Sequence, residues 1–174
     1  MPTVVLARVD DRLIHGQVVI KWLRAVPCRE IVICDDQVSA DPFLRRVLTL
    51  AKPPSIQLRI LSIAEAVGYL GAGDGAPARP SGAAPLPAED LKVMLLVKSP
   101  ATVRALLDSG VHLDSLNVGG MAPSPGSRRI YKSVSATPEQ LEILQGIREL
   151  GVLVRFQTVP EPEESAVPLE SLRL

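Results

Sequence analysis

The chain has 174 residues, with 19 lysines and arginines balanced by 19 aspartates and glutamates, and 47% of its residues are hydrophobic. That length suits one packed domain at the usual ~100–200 residues, and zero net charge supplies no global positive field for nucleic acid or an anionic membrane. The two cysteines, Cys28 and Cys34, lack a Cys/His cluster and predict reduced structural thiols without a metal site, and no apolar run approaches the roughly 20 residues that cross a bilayer.

Short runs rich in Val, Ile and Leu alternate with helical periodicity. This predicts an α/β fold: an open, mostly parallel sheet of about seven strands with helices on both faces. The first run, Thr3–Val9, is nearly all apolar, as a strand buried on both faces requires. A helix over Gly16–Ala25 follows, then a strand over Glu30–Cys34, a helix over Asp41–Ala51, a strand over Ile56–Leu61 and a helix over Ile63–Leu70 capped by Ser62. The Gly, Ala and Pro of Gly71–Asp90 offer little to bury and predict a flexible loop insertion rather than a domain boundary. Beyond it come a strand over Lys92–Val97, a helix over Ala101–Ser109 and strands over Asp114–Val118 and Arg128–Val134. A helix over Pro138–Leu150 and a last strand over Val152–Gln157 complete the pattern. Ser99 and Thr137 suit the N-caps of the two later helices, since Pro100 and Pro138 tolerate the missing N–H of a first turn. Pro160–Glu164 reads as a polar turn into a short tail, and residues 1–174 read as one domain.

Between the first strand and first helix lies Arg8-Val9-Asp10-Asp11-Arg12-Leu13-Ile14-His15-Gly16-Gln17-Val18. Imidazole can attack phosphorus, and a guanidinium binds two phosphate oxygens at once. The start of a helix adds unpaired N–H groups, here those of Gly16, Gln17 and Val18, as a phosphate cradle. The turn therefore predicts a phosphohistidine site. His15 is the nucleophile, Arg12 holds the phosphoryl oxygens, and Asp10 or Asp11 orients Arg12 or the imidazole. Strand alternation leaves the direction of Arg8 open.

Open α/β sheets bind ligands beyond the carboxyl ends of their strands, so Asp10–His15, Asp35–Asp36, Lys98 and Asn117–Met121 are expected along one edge. Strand order, and hence which loop borders His15, is not legible locally. Asp35 and Asp36 suit backbone amides better than phosphotransfer, and Trp22 suits core packing better than sugar stacking. His112 reads as a surface residue, and Lys132 stays outside the catalytic set.

The Arg8–Val18 block followed by Trp22 resembles the IIB component of the mannose/fructose/sorbose family of the bacterial phosphoenolpyruvate-dependent sugar phosphotransferase system. So do Asp35-Asp36, Asp41-Pro42-Phe43, Asn117-Val118-Gly119, Lys132-Ser133-Val134, and Gly151-Val152 with Gln157, all in the family's order. The resemblance implies that His15 accepts a phosphoryl group from a IIA component and passes it to a sugar arriving through membrane IIC and IID components. It implies a cytoplasmic phosphotransferase without a cofactor, held at the inner face of the membrane by its partners, and homodimers in some members. Gly120 departs from the family, which often has asparagine there, and the Gly71–Asp90 connection is longer than is general. A regulatory phosphocarrier using the same His15 chemistry without transport is the alternative, whereas a non-catalytic binding module conflicts with the intact His15 turn.

Overall fold

The computed structural model describes residues 2–71 and 91–172. The predicted insertion, apart from Gly71, therefore lies outside the described residues. The order is β1 (Thr3–Asp10), α1 (Gly16–Ala25), β2 (Glu30–Cys34), α2 (Asp36–Ala40), α3 (Pro42–Ala51), β3 (Gln57–Leu61) and α4 (Ile63–Leu70). After the insertion come β4 (Lys92–Val97), α5 (Pro100–Asp108), β5 (Ser115–Gly120), β6 (Arg128–Tyr131), β7 (Val134–Ala136), α6 (Pro138–Glu149), β8 (Leu153–Phe156) and β9 (Val167–Pro168), with a final 3-10 turn at Leu169–Ser171.

Seven strands form one sheet in the order β3-β2-β4-β1-β5-β8-β9. All neighbours in it are parallel except β8 and β9. The predicted strand Arg128–Val134 is corrected here: it breaks at Lys132-Ser133, and β6 and β7 pair antiparallel in a separate hairpin. Exposed Arg128 and Arg129 do not suit a central strand, and the seventh place in the sheet goes to the short β9 instead. The five-residue α2 was also not expected; Asp35 caps it by accepting from the Val38 N–H at 2.8 Å. Ser62 and Thr137 close capping boxes with Glu65 and Gln140, whereas Ser99 caps α5 without a side-chain bond to its amides.

Alternation along the strands divides the core in two. Leu6 of β1, Ile31 and Ile33 of β2, and Met94 and Leu96 of β4 pack with Trp22 and Leu48 beneath α1 and α3. Ala7, Val9, Val32, Val93, Leu95, Val97, Leu116 and Val118 meet α4, α5 and α6 on the opposite face. Helices thus cover both faces, as expected. At the amino end of β2, buried Glu30 accepts from Arg59 Nε at 3.0 Å and from the Tyr69 hydroxyl, while the Arg59 guanidinium lies 4.3 Å from the Tyr69 ring centre. Burial and the Glu30 carboxylate push the Tyr69 hydroxyl up to about 12.

The chain leaving β1 runs to β2 on one side, while the chain leaving β5 runs on through β6, β7 and α6 to β8 on the other. The carboxyl ends of β1 and β5 therefore border a topological switch point, the usual place for a ligand crevice in this architecture.

Candidate functional site

His15 stands at this switch point as the N-cap of α1, with extended backbone (φ −145°) and no side-chain bond to the helix amides. The first turn of α1, which holds Gly16, Gln17 and Val18, thus has no side-chain cap from His15. The turn is tight: Leu13 has φ 55°, in the left-handed region that a leucine rarely adopts. Its buried side chain and the bond from its N–H to Asp10 O at 2.9 Å hold it there. Leu13 O lies 3.0 Å from His15 Nδ1. Because a carbonyl only accepts, Nδ1 carries the proton and a neutral ring keeps its lone pair on Nε2. Nε2 is buried without a hydrogen-bond partner among the described residues and faces Asp10 Oδ2 at 3.8 Å.

Asp10 is fully buried at the end of β1. Its Oδ1 accepts from Arg12 Nε at 3.0 Å and the Arg12 amide at 3.3 Å; its Oδ2 accepts from Arg12 Nη2 at 3.2 Å and Arg8 Nη2 at 2.8 Å. Burial alone pushes this carboxyl up, but the Arg12 bond and the charges of Arg8 and Arg12 outweigh it and hold Asp10 below its ordinary value. The two candidate orienting carboxylates make different contacts. Asp10 touches Arg12 and faces His15, whereas Asp11 points away and accepts from the Ala122 N–H at 2.7 Å, tying the turn to the segment after β5.

The neighbouring strand ends complete the site. Arg8, whose direction alternation had left open, points inward beneath Trp22 and is 2% exposed. Gly119 makes room for it, because a Cβ there would overlap the guanidinium. A Cβ at Gly120 would come within 2.7 Å of Asp10 Oδ1 and 3.0 Å of Arg12 Nη2, so the departure at this position fits the tight packing of Asp10 and Arg12. Ser133 Oγ donates to Gly119 O at 2.7 Å, which seats the β6–β7 hairpin on the end of β5.

Other expected residues have partners of their own. Asp35 and Asp36 accept from the Val38 and Ile63 amides, as their loop position suggested, and Lys98 Nζ lies 3.6 Å from Asp35 Oδ2. Trp22 is buried and donates from Nε1 to Thr158 O at 3.1 Å. His112 is exposed beside Asp114. Lys132 reaches Glu164 at 3.3 Å rather than the His15 turn. Glu164 was not singled out by sequence, since a glutamate in a Pro/Glu turn carries no local signal. Burial pushes its carboxyl up, but the Thr158 amide, Tyr131 and Lys132 prevail and hold it low, locking the segment that follows β8.

A buried carboxylate flanked by two guanidiniums beside an imidazole at a helix start suits the handling of a phosphoryl group. The family model for the sorbose-subfamily IIB component of the phosphotransferase system matches residues 4–71 and 84–172. The sorbose-specific EIIB component of Klebsiella pneumoniae is 33% identical over 156 residues, 90% of this chain and 87% of that one. The mannose-specific EIIAB component of Escherichia coli K12 is 30% identical over 88% of this chain and 44% of its own length. The crystal structure of the IIBSor domain of the Klebsiella sorbose permease superposes with a TM-score of 0.79 at 32% identity, covering 95% of this chain and 93% of that one. Matched along nearly its whole described length in sequence and in fold, this chain belongs to the mannose/fructose/sorbose family of phosphotransferase-system IIB components.

Proposed function

We propose that His15 accepts a phosphoryl group from a histidine of a IIA component and delivers it to a sugar presented by membrane IIC and IID components. The observation that carries this reading is the contact set of Asp10, Arg12 and His15 within one turn at the open end of α1. As the P–N bond to the donor breaks, a P–N bond to His15 forms from the lone pair of the neutral imidazole. Such transfer has a loose, in-line transition state, so alignment and charge compensation supply most of the acceleration. Arg12, with its side chain 47% exposed, can turn unused N–H groups toward the transferring oxygens. The amides of Gly16, Gln17 and Val18 add the positive end of the helix. Either ring nitrogen must first leave its neighbour, Leu13 O for Nδ1 or the Asp10 side for Nε2, so a turn of the His15 side chain precedes attack.

A IIA donor is supported by the mannose-specific EIIAB relative, whose name joins an A and a B component. Among the described residues no helix is long and apolar enough to cross a membrane, so sugar delivery is assigned to partners at the inner membrane face. The test mixes the chain with phosphoenolpyruvate, the general phosphotransferase proteins and a matching IIA, then reads intact mass at neutral or alkaline pH, because phosphohistidine is acid-labile. Wild type and His112→Ala are expected to gain the label and His15→Ala to stay unlabelled; a labelled His15→Ala overturns the assignment. Vesicles bearing the cognate IIC and IID components are then expected to yield sugar phosphate from the labelled protein. Failure with every sugar tried would make the chain a regulatory phosphocarrier.

A further inference from the structure

We propose that Arg8 is a positioning residue for phosphoryl transfer, acting through Asp10; the inference rests on the His15 reading above. Arg8 and Asp10 are separated by one residue on β1 and share the face toward α1, while Ala7 and Val9 point into the opposite core. The Arg8 guanidinium is almost completely withdrawn from water. Acceptors from three strand ends surround it: Asp10 Oδ2 at 2.8 Å, Asn117 Oδ1, Gln157 O at 3.0 Å and Thr158 O at 3.1 Å. The Trp22 ring centre lies 5.3 Å from its central carbon, and Gly119 leaves the space it occupies.

Two consequences follow for the exposed chemistry. With Oδ2 pinned by Arg8, the Asp10 carboxylate has one orientation, and its two oxygens set the plane of the Arg12 guanidinium through Nε and Nη2. Charge changes as well. Asp10 with Arg12 alone is neutral, whereas Arg8, Asp10 and Arg12 together carry a positive charge beside His15. A carboxylate 3.8 Å from the imidazole would otherwise repel an incoming phosphoryl group. A purely structural purpose accounts poorly for this arrangement, since buried ion pairs contribute little net stability compared with apolar packing of the same volume.

The experiment measures transfer from phospho-IIA to folded variants by rapid quench, with thermal melting and the water exchange of the Arg12 Nε–H by NMR alongside. Arg8→Met is expected to lower the maximal rate by about tenfold or more. The KM for phospho-IIA should stay within about twofold, because a buried side chain cannot touch the donor. Its Arg12 Nε–H should exchange faster, a readout independent of activity. In an Asp10→Asn background the further loss from Arg8→Met should shrink to about threefold or less, since both changes break one chain of contacts. Gly119→Ala keeps every charged group but displaces the guanidinium, and should reproduce the slow rate if Arg8→Met fails to fold. Folded variants with wild-type rate and Arg12 exchange, full additivity with Asp10→Asn, or failure of both variants to fold would each overturn the proposal and leave Arg8 a structural brace. An unlabelled wild type would instead refute the His15 reading, while Arg12 exchange would still report on Arg8.

Discussion

Arg12 grips Asp10 side-on, with Nε 3.0 Å from Oδ1 and Nη2 3.2 Å from Oδ2, so its fork is anchored on a buried carboxylate while the rest of the side chain remains half exposed. An ammonium cannot span both oxygens and still present donors to a phosphoryl group. Arg12→Lys should therefore slow transfer by roughly two to three orders of magnitude, equivalent to about 2–4 kcal/mol. Rapid-quench kinetics checks the rate and thermal melting the fold, which should survive because Arg12 lies at an exposed edge. A wild-type rate would remove Arg12 from the site.

Asp10 links the site to acid stability. Its carboxyl sits below the ordinary value in the folded chain, so its contribution is complete above the unfolded pKa of about 3.9 and is lost as pH falls through the lower folded value. Asp10→Asn leaves Arg8 buried without its carboxylate and should cost about 3–5 kcal/mol at neutral pH. The gap between wild type and variant should narrow as melts are repeated below about pH 4. A gap that stays constant to low pH would show that Asp10 is not held as an ion pair.

Tyr69 sits at the amino end of the sheet, away from His15. Tyr69→Phe removes a hydroxyl donor from buried Glu30 and should destabilise by about 1–3 kcal/mol, with His15 labelling unchanged. The Tyr69 hydroxyl titrates near 12 in the folded chain, so its stabilisation is full below about pH 10 and declines as pH rises toward 12. Wild type should lose stability over that alkaline range faster than the variant in paired melts.

The family match stops at residue 71 and resumes at 84. Replacing residues 72–83 with a short Gly/Ser connector should leave the melting temperature within a few degrees and labelling nearly intact, because loop-closure entropy changes by only about 0.6 kcal/mol per doubling of length. Loss of donor-dependent labelling at an unchanged melting temperature would make the segment a docking arm.

Local chemistry made much of this protein legible in one dimension. Val, Ile and Leu runs marked the parallel strands, Ser62 and Thr137 marked helix starts, and His15, Arg12 and Asp10 lie close enough in the chain for one turn to bring them together. Tertiary structure decided what surrounds that turn. Asn117 and Gln157 stand 109 and 149 residues from Arg8, and they meet its guanidinium because β5 pairs with β1 and β8 with β5, an order set by crossover packing that no local period encodes. The same packing separated Asp10 from Asp11, two adjacent carboxylates of equal chemistry. One faces inward between two guanidiniums and the other binds the Ala122 amide, because successive residues at a strand end point to opposite sides and only the folded sheet determines what waits on each.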